Sequence, residues 1–203
     1  MPATDHPIHA ALYDPLMGLL ERGGLADRRR RLVADAKGEV VEVGGGTGRN
    51  LPYYRDVDRV VVLEPDGAMR RRLLARVPSA PVPVEVHETG IEDTTLPDGF
   101  ADTVVTSLVL CSVESPVDAV TAIKRILKPS GRLLFLEHVA QPGWRGRLQA
   151  AVTPVWSRTG GAGCHLDRAT LDIIRAGGFA ITDCHRSGAL VQGVATPSKR
   201  TSS

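Results

Sequence analysis

The sequence has little cysteine, and its cysteines do not occur in the close pairs typical of metal sites. Its 203 residues include three cysteines, Cys111, Cys164 and Cys184. Their odd number and wide spacing argue against a disulfide framework and predict reduced thiols. We therefore expect neither a disulfide nor a bound metal.

Long apolar runs and an excess of charge of one sign are also missing. No apolar stretch approaches the roughly 18 residues of a membrane span, and no signal peptide is recognisable, so we expect a cytoplasmic protein. The 25 basic and 23 acidic side chains leave a net charge of +2, which gives little support to nucleic-acid binding. One basic run, Arg28 to Arg31, falls in a helical pattern. We expect a solvated helix face there, with an anionic membrane or partner contact as the alternative.

The length and the order of elements predict one α/β domain over residues 1–203. Apolar strand-like runs alternate with helical segments from Val40 onward, which is the pattern of a doubly wound parallel sheet with helices on both faces. The last two runs are joined by a short connection at Ser187 and Gly188 that cannot hold a crossover helix, so the last strand must be antiparallel. The predicted fold is a three-layer sandwich around a seven-stranded, mostly parallel sheet.

An N-terminal cap of helices, about residues 8–36, precedes the first strand. Pro15 and Gly18 interrupt the helical spacing of leucines from Ile8 to Leu25, which predicts two short helices there. Another helix should follow from Leu25 to Ala36. The cap either closes over the mouth of a ligand site or packs against the edge of the sheet.

The stretch from Glu39 to Asn50, EVVEVGGGTGRN, predicts a strand, a tight turn and the N-terminus of a helix. Gly44, Gly46 and Gly48 can adopt positive φ and let the backbone approach a ligand closely. A helix that begins here would offer free N–H groups. The stretch is therefore a candidate cradle for a small ligand.

Three details favour S-adenosylmethionine (SAM) over a nicotinamide as that ligand. The dinucleotide fingerprint requires glycine where this chain has Arg49. Glu42, two residues before the first glycine, suits an ammonium group, and Glu64, at the end of the next strand, can accept both hydrogen bonds of a ribose diol. The reversed last strand is the third detail.

Several stretches resemble class I SAM-dependent methyltransferases. VEVGGGTGRN is similar to the family's glycine motif, LEPDGAMRRRL to its ribose-binding strand and helix, and LPDGFADTVVTSLVLCSV to its fourth strand. Within the family, LFLEHV and GCHLDRATLDIIRAGGF resemble the group whose animal members methylate small thiols, and more loosely the ubiquinone and phospholipid methyltransferases. The resemblance implies a Rossmann-like fold, SAM as the cofactor and methyl transfer as the activity.

The candidate cofactor residues lie at the predicted carboxyl ends of the strands, where open α/β sheets bind ligands. The glycine loop and Glu42 would hold the methionine part, Glu64 the ribose and Met69 the adenine. The resemblance adds the segment after the third strand as a contact of the adenine edge, and the end of the fourth strand lies near the sulfonium. The complete predicted set is Glu42, Gly44, Gly46, Gly48, Asn50, Glu64, Pro65, Met69, Gly90, Ile91, Glu92, Ser107, Leu108 and Cys111.

Catalysis by methyl transfer depends mainly on positioning, because the sulfonium is already a good leaving group. A thiol acceptor would also benefit from a base, and histidine titrates in the right range. The candidate catalytic residues are His138, just past the fifth strand, and His165 with Asp167. A structural role is the alternative for each histidine, and a buried thiol is the preferred interpretation of Cys164.

The insertion between the fifth strand and the next helix, residues 141–163, contains both tryptophans, Trp144 and Trp156, among arginines and apolar residues. This spacing fits a hydrophobic substrate lid, a helix on a lipid surface, or a helix pair covering the sheet edge. We favour the lid, because the resemblance places this segment opposite the acceptor.

The sequence therefore predicts a SAM-dependent methyltransferase acting on a small apolar acceptor, preferably a thiol. A lipid head-group or quinone methyltransferase is the first alternative, and it would involve a peripheral membrane contact. A nicotinamide-dependent oxidoreductase and a non-catalytic SAM-binding module are the remaining alternatives. We expect no nucleic-acid partner.

Overall fold

A seven-stranded sheet in the order β3-β2-β1-β4-β5-β7-β6 forms the centre of the molecule. The computed structural model describes Asp5, residues 7–159 and residues 164–198. The strands are β1 (Gly38–Val43), β2 (Val57–Leu63), β3 (Val84–His87), β4 (Ala101–Ser107), β5 (Leu127–His138), β6 (Phe179–Ser187) and β7 (Leu190–Pro197). The helices are α1 (Pro7–Leu20), α2 (Ala26–Ala34), α3 (Gly67–Arg76), α4 (Pro116–Ile126), α5 (Gly143–Thr159) and α6 (Thr170–Ala176).

The sheet is parallel except for β7, which is antiparallel to both of its neighbours, β5 and β6. The prediction of a seven-stranded Rossmann-like sheet with a reversed last strand is therefore confirmed. The short turn at Gly188, where φ is 61°, has no room for a helix and reverses the chain.

The two faces of the sheet are both buried, as the apolar strands predict. Successive β1 and β2 side chains point to opposite faces, because strand residues alternate. Val41 and Val61 pack with α4 and α6 on one face, and Val40 and Val60 pack with α2 on the other. The result is the predicted arrangement of three layers.

The N-terminal cap differs from its prediction. Instead of two short helices, one helix runs from Pro7 to Leu20 with Pro15 inside it, and a wider turn at Glu21–Leu25 leads into α2. Gly24, at φ 104°, provides the kink between them. A proline inside a helix removes one N–H and bends the helix, but it need not end the helix when tertiary contacts support it.

The glycine loop also differs from its prediction, because no α-helix follows it. Residues 46–50 form successive turns. The only helical turn between these residues and β2 is the three-residue 3-10 helix Leu51–Tyr53. The N–H of Gly48 is bonded to the carbonyl of Gly45. The expected row of free N–H groups at a helix start is therefore replaced by a turn.

The insertion forms the long helix α5, in agreement with the helical interpretation of residues 141–163. Trp156 and the glycines at 160–163 lie outside the residues whose side chains are described. None of the helices that the structure describes combines the length and the apolar character that a membrane crossing requires.

Candidate active site

The glycine loop lies across the carboxyl ends of β1, β2 and β4. Gly44, Gly46 and Gly48 have φ values of 63°, 57° and 80°, which residues other than glycine rarely adopt. The N–H groups of Gly44 and Gly45 both donate to the carbonyl of Leu63, at 2.9 and 3.3 Å. A Cβ atom at Gly44 would lie 2.2 Å from Cγ2 of Val109. Glycine is therefore required here by both backbone conformation and close packing.

Glu64 follows β2 and turns its carboxylate toward the glycine loop. Its Oε2 accepts a hydrogen bond from the N–H of Gly46 at 2.7 Å, and its Oε1 accepts one from the N–H of Asp66 at 2.8 Å. Burial raises the pKa of Glu64 to about 7, against the effect of these two bonds. Glu64, the residue predicted to bind the ribose, is thus a buried carboxyl group at the edge of the cradle, and its pKa of about 7 lies close to neutral pH.

Glu42 lies below the loop and is bonded to the protein itself. Its Oε1 accepts a hydrogen bond from Asn50 Nδ2 at 2.9 Å and its Oε2 accepts one from Tyr54 Oη at 2.8 Å. Burial is the main reason that the pKa of Glu42 is raised to about 6. The structure therefore joins Glu42 and Asn50, both predicted to be cofactor residues, through one buried network that supports the loop.

Arg29 belongs to the same network, which the sequence analysis missed. Its Nη1 donates to Asn50 Oδ1 at 3.0 Å and to Ser107 Oγ at 2.9 Å, and the residue is 3% exposed. The expectation of a solvated face for the arginine run is wrong at this position. Its spacing could have shown this, because Arg29 falls on the buried stripe of Leu25 and Leu32 at helical intervals.

Helix α1 lies over the glycine loop and α3. Asp14 accepts hydrogen bonds from Thr47 Oγ1 at 2.8 Å and from the Arg49 guanidinium at 2.9 Å, and pairs with Arg76 at 3.1 Å. Burial raises the pKa of Asp14, but the Thr47 hydrogen bond and the two arginines outweigh it and keep the pKa below its usual range. Tyr13 packs against Met69. These contacts place the described part of α1 against the glycine loop and α3.

The predicted adenine contacts lie around the start of α3 and after β3. Met69 is buried in the first turn of α3, and its N–H donates to Asp66 Oδ1 at 2.9 Å, which caps the helix. Pro65 and Glu92 are exposed, whereas the Ile91 side chain is 1% exposed within the core. At Gly90 and Ile91, the backbone is therefore the part left to face a ligand.

The acceptor side of the site begins with the loop after β4. This strand ends at Ser107, because Leu108 adopts a left-handed φ of 60°. Glu137 Oε1 then accepts hydrogen bonds from the N–H groups of Val109 and Leu110 at 3.3 and 3.2 Å. Burial raises the pKa of Glu137 to about 7. This buried carboxyl fixes the loop that carries Cys111.

Cys111 lies against two residues from distant parts of the chain. Cys164 Sγ is 3.2 Å from Cys111 Sγ and 3.8 Å from His138 Nδ1. The hydrogen bond with Cys164 and burial raise the pKa of the Cys111 thiol well above its usual range, so this thiol is protonated at neutral pH. Both cysteines are buried, as expected for Cys164. Nothing in their spacing along the sequence indicated that they meet.

Of the candidate catalytic residues, the structure brings only His138 into this cluster. His165 and Asp167 are exposed, although the His165 N–H donates to the Cys111 carbonyl at 2.8 Å and so lies at the rim. Burial lowers the pKa of His138, but the contact with Cys111 and the charge of Glu137 outweigh it and leave the pKa raised.

The residues around the glycine loop fit SAM. The cradle has no side chain at three positive-φ positions, and a Cβ at Gly46 would meet only Tyr13 Oη, at 4.0 Å. A buried carboxylate stands at the tip of β2, where a ribose diol can be bound. Met69 adds an apolar wall on the same side of the sheet.

The chain is similar to known methyltransferases. The methyltransferase domain family matches residues 41–135. The human thiol S-methyltransferase TMT1B is 37% identical over 180 residues, which cover 81% of this chain and 73% of that protein. The chain covers 59% of the rat and 58% of the mouse protein of the same name.

Two further comparisons support the fold and the wider family. The UbiE ubiquinone/menaquinone C-methyltransferase of Vibrio parahaemolyticus is 29% identical over 139 residues, covering 63% of this chain and 53% of that protein. The solved structure of a DhpI-SAH complex superposes with a TM-score of 0.69 at 19% identity, covering 96% of this chain and 94% of the other. The chain therefore belongs to the class I SAM-dependent methyltransferases and is an enzyme that uses SAM.

Proposed function

We propose that this enzyme transfers the methyl group of SAM to the sulfur of a small, apolar thiol. The observation that supports a thiol as the methyl acceptor is the extent of the similarity to human thiol S-methyltransferase TMT1B. That similarity covers 81% of the chain, whereas the methyltransferase domain family matches residues 41–135. It therefore extends beyond the segment that builds the cofactor cradle and includes acceptor-side elements.

Each predicted residue then has a role in holding the reactants. Glu64 would accept the ribose hydroxyls, and the glycine loop, supported by Glu42 and Asn50, would hold the methionine part. Met69 and the backbone from Gly90 to Glu92 would contact the adenine. Ser107, Leu108 and Cys111 would face the reacting sulfur. If Glu64→Ala leaves the SAM affinity unchanged, this placement of the ribose is wrong.

Most of the rate enhancement is expected from orientation. Bound SAM supplies a methyl group on a positively charged sulfur that leaves readily. Correct orientation of the reactants lowers the activation barrier by about 7 to 11 kcal/mol, whereas a general base increases the rate by about 10² to 10⁴-fold. A free thiol with a pKa near 8.5 is mostly protonated at neutral pH, so its deprotonation is the step that side chains can assist.

Histidine is the side chain to test for that assistance. His138 is half-buried beside Cys111, and the exposed His165 and Asp167 stand at the rim of the same side. If His138→Ala and His165→Ala both keep the full rate at about pH 8, where a histidine base would be deprotonated and active, no histidine base takes part.

A quinone or lipid acceptor is the second candidate, favoured by the surface of α5. Trp144, Leu148 and Val152 are exposed by 69%, 56% and 42% and follow one another at intervals of four residues, so they form one apolar stripe. Arg145 and Arg147 are exposed beside it. Such a helix suits a lipid surface or a lid over an apolar substrate, and the expected cytoplasmic location agrees with a peripheral contact.

A panel of acceptors separates these functions. Purified protein is incubated with SAM and with alkyl thiols, phenols, amines, a short-chain quinol or lipid vesicles, and the release of S-adenosylhomocysteine is measured. Release with alkyl thiols supports the proposal. Release only with the quinol or with vesicles contradicts it and favours the second candidate.

A further inference from the structure

Three side chains that bind soft metal ions meet on the acceptor side. The Sγ atoms of Cys111 and Cys164 and a ring nitrogen of His138 all lie within 4.8 Å of one another. The two sulfurs are 3.2 Å apart, and Cys164 Sγ is 3.8 Å from His138 Nδ1. Both cysteines are at least nine-tenths buried, at 1% and 8% exposure. Two thiols and an imidazole together form a ligand set suited to zinc.

Two of the three distances are close to those of a tetrahedral zinc site, and the third, from Cys111 Sγ to the His138 ring, is no more than 4.8 Å. Zinc bonds of about 2.3 Å to sulfur and about 2.0 to 2.1 Å to nitrogen place two sulfurs about 3.8 Å apart, and a sulfur and a nitrogen about 3.6 Å apart. The sulfur to nitrogen distance observed here is 3.8 Å. The sulfurs need to separate by about 0.6 Å, which a small rotation of one cysteine side chain supplies.

The backbone that carries the three ligands is already fixed. Glu137 anchors the loop of Cys111 through the N–H groups of Val109 and Leu110. The segment of Cys164 is attached to that same loop, because Arg168 Nη1 donates to the carbonyls of Leu110 and Val113 at 2.7 and 2.9 Å. His138 ends β5, beside β4 in the sheet. A site assembled in this way does not need to fold around its metal.

The cluster is also close to the cofactor cradle. Val109, two residues before Cys111, packs so tightly against Gly44 that a Cβ atom there would overlap it. Two residues of chain span at most about 7 Å, so the ligands stand near the place where the methyl group must be transferred.

We propose that Cys111, His138 and Cys164 bind a thiophilic divalent cation such as Zn²⁺, with the fourth position taken by the sulfur of the acceptor. This inference rests on the proposed thiol methylation and names how the thiol is activated. Three protein ligands with one open position are the arrangement of catalytic zinc sites, and a coordinated thiol loses its proton.

The methyl transfer requires no oxidant or reductant. The acceptor thiol releases its proton to solvent when its sulfur binds the cation. That sulfur then forms the new carbon–sulfur bond as the bond between the methyl carbon and the sulfonium breaks. A methyl thioether and S-adenosylhomocysteine leave, and the cation stays with its three ligands.

The test is metal content and metal spectroscopy of the full chain. Protein purified under reducing conditions is freed of metal with a chelator and titrated with Zn²⁺ or Co²⁺. We expect one ion per chain and, with Co²⁺, the near-ultraviolet absorption of thiolate-to-metal charge transfer. A small alkyl thiol added to the Co²⁺ protein should change that spectrum, because it occupies the fourth position.

Two variants and one control assign the ligands. Cys111→Ser and Cys164→Ser should weaken metal binding by more than the 10 to 100-fold that loss of an outer-shell partner typically costs. Cys184→Ser removes the exposed cysteine on β6 and should leave metal binding unchanged. Circular dichroism of each variant shows whether it is folded.

Different outcomes overturn the metal site and the proposed function. No stoichiometric metal, a Cys111–Cys164 disulfide in the freshly reduced protein, or an unchanged Co²⁺ spectrum on adding thiol each overturns the inference. Full thiol methylation by metal-free protein overturns the inference and leaves thiol methylation standing. Metal binding with a thiol-sensitive spectrum but no methylation of any thiol keeps the site and contradicts the proposed function.

Discussion

Most of the cofactor side of this active site comes from one stretch of chain, whereas the acceptor side is collected from three. The glycine loop, Glu64 and Met69 all lie between the end of β1 and the first turn of α3, and the predicted adenine contacts at Gly90–Glu92 follow β3. Cys111, His138 and Cys164 come from the loop after β4, the end of β5 and the segment before α6. A continuous motif can be recognised from a few spaced glycines and acids. A cluster assembled from distant segments exists only once the strand order is known.

Arg29 connects the two sides, so its removal should have the largest effect. Arg29→Met loses the hydrogen bonds to Asn50 and Ser107, whereas Glu21 keeps its ion pair with Arg49. Each buried polar partner left without its hydrogen bond costs about 1 to 3 kcal/mol in the free energy of unfolding. Urea unfolding followed by circular dichroism measures the loss.

The control comes from the same basic run. Arg30 has a side chain that is 65% exposed, so Arg30→Met should change the stability by less than about 0.5 kcal/mol. Equal losses for the two variants would mean that Arg29 is not a special link between the two sides.

The buried carboxyl of the cofactor side should make stability depend on pH. The folded-state pKa of Glu64 is about 7, against a usual value of 4.5. The Glu64 carboxyl group therefore stays protonated to a higher pH in the folded protein than in the unfolded chain. Its contribution is fully present below pH 4.5 and is lost as the pH rises toward 7, by up to about 3 kcal/mol. Glu64→Gln should remove this dependence.

The measurement is the free energy of unfolding of wild type and Glu64→Gln across pH 4 to 8. Other buried acids, including Glu42 and Glu137, are present in both proteins and cancel in the difference. A difference that stays constant with pH would contradict the raised pKa of Glu64.

Gly44→Ala should weaken cofactor binding. A non-glycine residue at a φ of 63° costs about 1 to 3 kcal/mol, and the new methyl group also overlaps Val109. We expect the SAM affinity to fall by about tenfold or more, measured by calorimetry.

Gly99→Ala is the matched control. Gly99 has a similar φ of 66°, and a Cβ atom there would have no neighbour within 4 Å. It should lose stability through the same backbone strain and keep its SAM affinity. If both variants bind SAM as tightly as wild type, the loop around Gly44 does not form the cradle.

The smallest expected effect belongs to the outer surface of the acceptor side. Trp144→Ala removes a side chain that is 69% exposed and should change stability by less than about 0.5 kcal/mol. If the α5 stripe contacts lipid, the variant should bind anionic vesicles less well in a sedimentation assay. Val117→Ala, on the exposed face of α4, should bind them as wild type does.

The sequence was sufficient to predict the fold class, the reversed last strand and the cofactor. Those features follow from local signals: alternating apolar runs, a turn too short for a crossover, and glycines flanked by acids. Arg29 was missed because the run of four arginines was treated as one surface, although its helical spacing marks Arg29 as buried. The left-handed Leu108 and the missing helix after the glycine loop could not be predicted, because both depend on tertiary contacts that no local pattern encodes.

The meeting of Cys111 with His138 was partly within reach, since both follow the ends of neighbouring parallel strands. Cys164 was not, because it is brought there by the backbone N–H of His165 and the side chain of Arg168, which both donate to carbonyls of the loop after β4. The acceptor side of this enzyme is thus the part that its sequence alone predicts least well.

The reversed strand β7 also constrains the order in which the chain can fold. It lies between β5 and β6, so β6 reaches the sheet only through β7, although β6 leaves the ribosome first. Until β7 emerges, the apolar edge of β5 is open to pairing with another chain, which is a known route to aggregation. During synthesis, the short turn between β6 and β7 lets the two strands pair as a hairpin and dock together, and we expect the expression yield to depend strongly on this final hairpin.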